Sequence, residues 1–260
     1  MSESLYIIKI SGNIIDDEQR LDAFLQQFSS LSGKKILVHG GGKLATKMAD
    51  QLNIPQQMIE GRRVTDADTL RIVTMVYAGY INKNIVAGLY AKGISAMGVT
   101  GADGNCILAH KRQHANIDYG YVGDIDVVNA TFLHQVLEQN TAIVVAPITH
   151  DGKGQLLNTN ADTIAQEIAK ALSSLYQTIL IYSFEKKGVL LDVNDESSVI
   201  ANMNKEQYLL LKAEGKIFAG MIPKLDNAFA AIDAGVGKVI IGQAEELVLL
   251  INTASGTTIE

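Results

Sequence analysis

The chain has 260 residues, 47% hydrophobic and 19% charged, and its 22 Lys and Arg against 28 Asp and Glu give a formal net charge of −6. That balance excludes general binding to nucleic acid or to an anionic membrane, and no apolar run is long enough to cross a bilayer or follows a signal-peptide start. The single Cys106 excludes a disulfide framework and fits a reducing cytoplasm, and the length suits one large α/β domain or two joined lobes.

In chain order, Leu5–Ile10 reads as a strand that carries Lys9 near its end and stops at Ser11-Gly12. Glu18 to Phe28 has helical spacing, with Leu21, Phe24, Leu25 and Phe28 toward a core. Ile36 to Gly42, Ile-Leu-Val-His-Gly-Gly-Gly, reads as a buried strand ending in a glycine loop, and Lys43 to Leu52 as the helix after it. A strand, a glycine loop and a helix N-terminus make an anion site from free N–H groups and the positive end of the helix dipole. Thr65-x-x-Asp68 resembles a capping box before a long helix to about Tyr90, ended by Gly93. This helix is apolar on more than one face, which reads either as a central core helix or, the reading preferred here, as one that also meets a partner subunit.

Further on, Ile94–Val99 reads as a strand, Gly101–Gly104 as a turn, and His110 to Asp126 as a polar excursion bearing a hairpin. A helix over Ala130–Glu138 sits behind the cap candidate Asn129, and Thr141–Ile148 is a strand. Asn158-Thr159-Asn160-Ala161-Asp162 opens another helix, through Leu172. After about Ser173 the pattern restarts with strand Thr178–Tyr182, a charged loop Glu185–Gly188 and strand Val189–Leu191. Helices over Lys205–Glu214 and Lys224–Ala234, strand Lys238–Ile241 and helix Ala244–Ile251 complete the chain, with no internal repeat. The alternation predicts a mostly parallel sheet in an α/β/α sandwich of two lobes, residues 1–173 and 174–260.

Ligands of such sheets lie beyond the carboxyl ends of the strands. There stand Lys9 before Ser11-Gly12, Gly40–Gly42, the run Asn158, Asn160 and Asp162, and Lys224 after Gly220-Met221-Ile222-Pro223. Each has a plain structural reading: Asn160 or Asp162 as an N-cap, Lys9 as a strand-end lysine, the glycines as turns. Lys224 fits less well, because a cation at a helix start opposes the dipole. Together, two lysines, two glycine loops and one aspartate describe phosphoryl transfer without a covalent enzyme intermediate. Bringing an anionic acceptor to a phosphate costs about 4 kcal/mol at ~4 Å in an effective dielectric near 20, and cations and N–H groups offset it. Arg62-Arg63 could fork a carboxylate, or form only a solvated pair.

Competing motifs are weak. Gly40-Gly41-Gly42-Lys43-Leu44-Ala45 satisfies G-x-G-x-x-A, but a dinucleotide fold leaves Lys9, Asp162 and Lys224 without a task. The chain lacks G-x-x-x-x-G-K-[ST] and G-x-S-x-G, its five histidines are scattered, and nothing local supports Cys106 as a nucleophile.

His39-Gly40-Gly41-Gly42, Gly61-Arg62-Arg63-Val64-Thr65, Leu157 to Asp162 and Gly220 to Lys224, in that order and spacing, resemble the amino-acid kinase family and its members that phosphorylate N-acylated L-glutamate. The resemblance runs from Lys9 to Thr257 and implies an open, largely parallel eight-stranded sheet. It implies an N-terminal lobe for the acylglutamate, a C-terminal lobe for ATP with Mg²⁺ bound through the phosphates, and a homodimer through the long helix. Lys9 and Lys224 then match the lysines that stabilise the transition state, and Asp162 the aspartate that organises them. Gly41 and Gly42 match the glycines facing the acceptor and the moving phosphoryl, with Gly12 on the nucleotide side. Arg63 and Asn158 match the clamp on the α-carboxylate, with Asn160 beside it.

Three positions depart from the family pattern: Ser11 stands for a glycine, Ser183 to Gly188 is longer and more basic than the usual nucleotide turn, and Arg62 stands where an apolar residue lines the acyl pocket. Arg62 raises the alternative of N-succinyl-L-glutamate over N-acetyl-L-glutamate, and a catalytically silent binding protein is a further alternative. With only Met1–Ser4 ahead of the first strand, the resemblance also implies weak feedback inhibition by arginine.

Overall fold

The computed structural model describes residues 3–59, 62–217 and 221–260; the motif glycines Gly61 and Gly220 lie outside them. Strand β1 (Ser4–Ile10) leads through the single turn α1 (Gly12–Ile15) into helix α2 (Glu18–Ser30), whose cap Asp17 accepts from the N–H groups of Gln19 and Arg20. Strand β2 (Lys34–Val38) and helix α3 (Gly42–Gln51) follow, then a hairpin of β3 (Gln57–Ile59) and β4 (Arg62–Val64). Helix α4 (Ala67–Val73) passes into a π-helical segment (Thr74–Ile81) and out into α5 (Asn82–Ala91). Next come β5 (Ala96–Val99), β6 (Ile107–Lys111), β7 (Gly123–Val128), α6 (Ala130–Glu138), β8 (Ala142–Val145), β9 (Ile148–His150), β10 (Leu156–Asn158) and α7 (Ala161–Leu172). The last part holds β11 (Gln177–Phe184), β12 (Asn202–Met203), α8 (Lys205–Ala213), α9 (Ile222–Asp233), β13 (Lys238–Gln243), α10 (Leu247–Ile251) and β14 (Thr257–Ile259).

The largest sheet has eight strands in the order β12-β14-β13-β11-β1-β2-β8-β5, and β14 runs antiparallel to β13. This is the mostly parallel eight-stranded α/β sheet expected from the sequence. The chain forms two compact units, Met1–Ile36 with Ala165–Glu260, and Leu37–Ile164. That division differs from the expected seam at 173/174. The reason is a long-range pairing: all seven residues of β1 run parallel to β11, from Ser4 opposite Gln177 to Ile10 opposite Ser183. In the first unit Leu5, Ile7, Ile8, Leu180, Val239 and Ile241 are fully buried; in the second, Leu37, Val38, Ile85, Leu89, Ile143 and Val144 are. Strands covered on both faces carry such continuous apolar runs.

Three local expectations change. The cap of α4 is Asp66, which accepts from Thr69 N–H at 2.8 Å, instead of the box Thr65-x-x-Asp68. Thr65 is occupied elsewhere, its hydroxyl donating to the Arg63 carbonyl. The expected strand Thr141–Ile148 splits into β8 and β9 around Ala146-Pro147, since proline has no N–H for the ladder. Val189–Leu191 forms only an isolated bridge, Leu190 with Val199. Among the described residues no helix is long and apolar enough to cross a membrane.

Candidate active site

In the second unit, β2 delivers the chain to His39 and then to the glycine loop. Gly41 sits before α3 with φ 147° and ψ 21°, and a Cβ there would lie 2.2 Å from Ile81 Cδ1 and 3.1 Å from the Tyr77 ring. Only glycine fits, for both reasons. No side chain caps α3, so the N-terminal N–H groups of this ten-residue helix keep their capacity for an anion.

Arg63 is brought to the same place by β4, and the residue is nine-tenths buried. Its Nη2 donates to the Gly42 carbonyl at 2.9 Å and to Thr46 Oγ1 at 2.8 Å, while Nη1 donates to Gln56 Oε1. All these partners are neutral, and among the described residues no carboxylate pairs with Arg63. A buried cation without a counter-ion favours an anionic ligand. The charge also reaches Tyr77, whose hydroxyl is pushed up by burial and pulled partly back by Arg63. Asn158, on β10, donates from Nδ2 to Thr65 Oγ1 at 3.0 Å, which ties it to the Arg63 strand. Asn160 is the cap of α7, accepting from the N–H groups of Asp162 at 2.9 Å and Thr163 at 3.1 Å, so its plain structural reading holds. Asp162 stands in the first turn of that helix.

Gly40, Gly41, Gly42, Arg62, Arg63, Asn158 and Asn160 all line one cavity of about 220 Å³, together with Met58 and Tyr77. Arg62 is half-buried in its wall, not turned away into solvent. Two guanidinium groups, an uncapped helix start and two amides around so small a volume suit a compact dianion.

The other predicted residues belong to the first unit. Lys9 lies near the carboxyl end of β1, and Ser183 near that of β11, one strand away. The hydroxyls of Ser11 and Ser183 are buried and find no hydrogen-bond partner among the described residues. Two such hydroxyls at adjacent strand ends have the chemistry to donate to an oxyanion. At Gly12 a Cβ would meet nothing within 4 Å, so the protein alone does not require glycine there. Gly188 is required: its Cβ would stand 2.7 Å from Thr257 Oγ1. A second cavity of about 220 Å³ is walled mostly by apolar side chains, among them Phe184, Val189, Leu190 and Val193, with Gly188 and Lys224 at it. The Lys224 ammonium lies 4.8 Å from the centre of the Phe184 ring, within cation–π range.

Sequence reasoning did not find Tyr77 and Ile81 as the roof of the glycine loop, Gln56 and Thr46 as the holders of Arg63, or Phe184 beneath Lys224. One available signal was polar: Asn82, 1% exposed, directly follows the apolar run from Met75 to Ile81.

The amino acid kinase family profile matches residues 4–243. An acetylglutamate kinase of Phocaeicola vulgatus is 55% identical over 260 residues, covering 100% of both chains. An acetylglutamate kinase of Cytophaga hutchinsonii is 56% identical over 251 residues, 96% of this chain and 95% of its own. A crystal structure from Streptococcus mutans UA159 superposes with a TM-score of 0.78 at 28% identity, covering 98% of each chain.

Proposed function

The chain belongs to the amino acid kinase family, and from that membership we infer that it transfers the γ-phosphoryl group of ATP to the γ-carboxylate of N-acetyl-L-glutamate. The products are N-acetyl-L-glutamyl 5-phosphate and ADP, the second step of arginine biosynthesis. The observation that carries this reading is Arg63: a buried cation with neutral partners, in the wall of the cavity that the glycine loop and Asn158 also line.

In the reaction a carboxylate oxygen attacks the γ-phosphorus in line, and the bond to the β,γ-bridging oxygen breaks, leaving ADP. The carboxylate is a nucleophile at neutral pH, so no general base is needed. Arg63 and Asn158 hold the α-carboxylate, and Gly41 and Gly42 offer N–H groups to the acceptor and the moving phosphoryl. Asn160 shapes the wall beside them. Lys9 and Lys224 offset the charge that accumulates on the phosphoryl oxygens, and Asp162 supplies the acidic group that keeps such cations in register. Ser11, Gly12, Ser183 and Gly188 serve the nucleotide phosphates and ribose, and the apolar cavity suits the adenine. Among the described residues no three His, Cys, Asp or Glu side chains gather as a metal site. Mg²⁺ is proposed to bind mainly through the nucleotide phosphates, where the ion would supply charge neutralisation.

The test is ADP release with trapping of the acyl phosphate by hydroxylamine, against N-acetyl-L-glutamate, N-succinyl-L-glutamate, glutamate, aspartate and carbamate. Acylated glutamate is expected to stand at least tenfold above the free amino acids in kcat/KM. ADP release with no acylglutamate would remove the reading, and so would a flat profile across the panel.

Arg62 supports a second reading of the acyl group, because its charge lines the cavity. A distal carboxylate on a succinyl chain would meet it. Arg62→Leu is expected to lower kcat/KM for N-succinyl-L-glutamate about fivefold more than for N-acetyl-L-glutamate, the worth of one partly exposed charge pair near 1 kcal/mol. Equal losses on both substrates would show that Arg62 takes no part in reading the acyl group.

A homodimer is part of the same proposal. Met75, Tyr80 and Tyr90, on the π segment and α5, are at least half exposed, and Met97 is exposed on β5, the open edge of the eight-stranded sheet. Apolar side chains on a helix beside a free strand edge support a self-complementary interface.

A further inference from the structure

His39 has no exposed surface, and the reaction as written gives it no proton to move. Its surroundings are nevertheless fully specified. Nδ1 lies 2.8 Å from the carbonyl oxygen of Gly40, and a carbonyl only accepts, so Nδ1 carries the proton. Nε2 lies 3.2 Å from Asn82 Nδ2. The orientation of that amide is set by its other partners: Nδ2 also donates to the Val144 carbonyl at 3.0 Å, and Oδ1 accepts from Lys83 Nζ at 3.0 Å. Nε2 is therefore the acceptor, and one tautomer satisfies every group. Room for this network is built into the fold. A Cβ at Gly98 would stand 2.0 Å from Asn82 Oδ1, and Asn82 follows directly on the π-helical turn whose Tyr77 and Ile81 cover Gly41. Burial lowers the imidazole to about 4, so the ring stays neutral in the working range.

The consequence lies across one peptide bond. The Gly40–Gly41 peptide is trans and planar, so its carbonyl and its N–H point in opposite directions. A carbonyl held toward the His39 ring fixes the Gly41 N–H on the other side. Among the described residues no backbone or side-chain acceptor takes that N–H, and Gly40 and Gly41 line the 220 Å³ cavity while His39 does not.

We propose that His39 is a positioning residue: through the Gly40 carbonyl, and with its tautomer locked by Asn82, it aims the Gly41 N–H at the anion in the cavity. A glycine flanked by glycines has little intrinsic preference for one peptide orientation, so the histidine supplies what the loop lacks. The kinetic part of this proposal rests on the kinase reading above; the tautomer and the peptide orientation do not.

Two measurements test it. The imidazole ¹⁵N spectrum of the wild-type protein reads the tautomer directly, with or without activity, and is expected to show a protonated Nδ1 and a bare Nε2 at neutral pH. In ADP release, His39→Leu is expected to lose about 10²-fold in kcat, with KM for N-acetyl-L-glutamate within about threefold. His39→Asn keeps a short N–H donor near the Nδ1 position and is expected to recover at least tenfold over His39→Leu. A protonated Nε2 in the wild type overturns the proposal even if no variant folds. Equal losses in His39→Asn and His39→Leu, or a folded His39→Leu within threefold of wild-type kcat, overturn it as well. An inactive wild type with the expected tautomer would sink the kinase reading and leave the peptide orientation standing.

Discussion

Gly41→Ala is expected to lower kcat by 10²-fold or more while destabilising the protein by about 1–3 kcal/mol, the usual range for one residue forced into a sparse backbone region. Two independent obstacles add at this position. The φ of 147° belongs to a region that side chains rarely enter, and the new methyl group would meet Ile81 Cδ1 at 2.2 Å and Tyr77 ring carbons at 3.1 and 3.2 Å. Ile81 is 2% exposed and Tyr77 5%, so neither can swing into water to make room. The loop must move instead, and the Gly41 N–H moves with it, away from the position where an acceptor oxygen needs a donor. Displacing one such donor elsewhere costs about 10²–10³ in rate.

The neighbours act as controls for Gly41→Ala. At Gly42 a methyl would lie at an ordinary 3.8 Å from Arg63 Nη2, and at Gly12 it would touch nothing, so both alanine variants should melt near the wild-type temperature. Ile81→Ala added to Gly41→Ala relieves the clash but not the φ, and is expected to recover stability more than activity. A folded Gly41→Ala within threefold of wild-type kcat would remove the loop from the chemistry.

The glycine loop was legible because its signals are local. A three-residue apolar run, three glycines and a helical period lie within Ile36 to Leu52, and the structure builds β2 and α3 on them. The caps Asn129 and Asn160 were legible for the same reason, each bonding N–H groups two or three residues on. What was not legible depends on distant partners. The run Thr-Met-Val-Tyr-Ala-Gly-Tyr-Ile is apolar nearly throughout and has no dominant face, so nothing in it announces the π winding that sets Tyr77 and Ile81 over Gly41. The placement of Arg62 turns on the β3–β4 hairpin, which a stretch with only three residues per strand does not reveal. The seam between units turns on β1 pairing with β11, more than 170 residues later, and no local pattern carries that pairing. In the site, residue types were readable and their holders were not: Arg63 stood out as a charge, but Gln56, Thr46 and the Gly42 carbonyl that fix it do not.

Lys224→Ala is expected to reduce kcat by about 10²-fold or more, with KM for ATP within a few-fold of wild type, because its charge matters most where the phosphoryl oxygens gain negative charge. The lysine is the third residue of α9, where a cation works against the helix dipole by roughly a few tenths of a kcal/mol. That small standing cost makes sense for a group placed to serve an anion. The ammonium is also not left to wander, since the Phe184 ring lies 4.8 Å beneath it in the apolar cavity of the first unit. Phe184→Leu keeps the apolar wall but removes the ring, and is expected to cost three- to tenfold in kcat, in line with about 1 kcal/mol for a partly exposed cation–π contact. Phe184→Tyr should restore it. Lys224→Arg is expected to rescue poorly, because a planar guanidinium cannot follow a moving phosphoryl as a compact point charge can. Lys9→Ala belongs to the same class, and its loss should likewise fall on kcat. Near-normal turnover in folded Lys224→Ala, judged by its melting transition, would take this lysine out of the transition state. It would also leave the Phe184 contact as simple packing, in which case Phe184→Leu and Phe184→Tyr would behave alike.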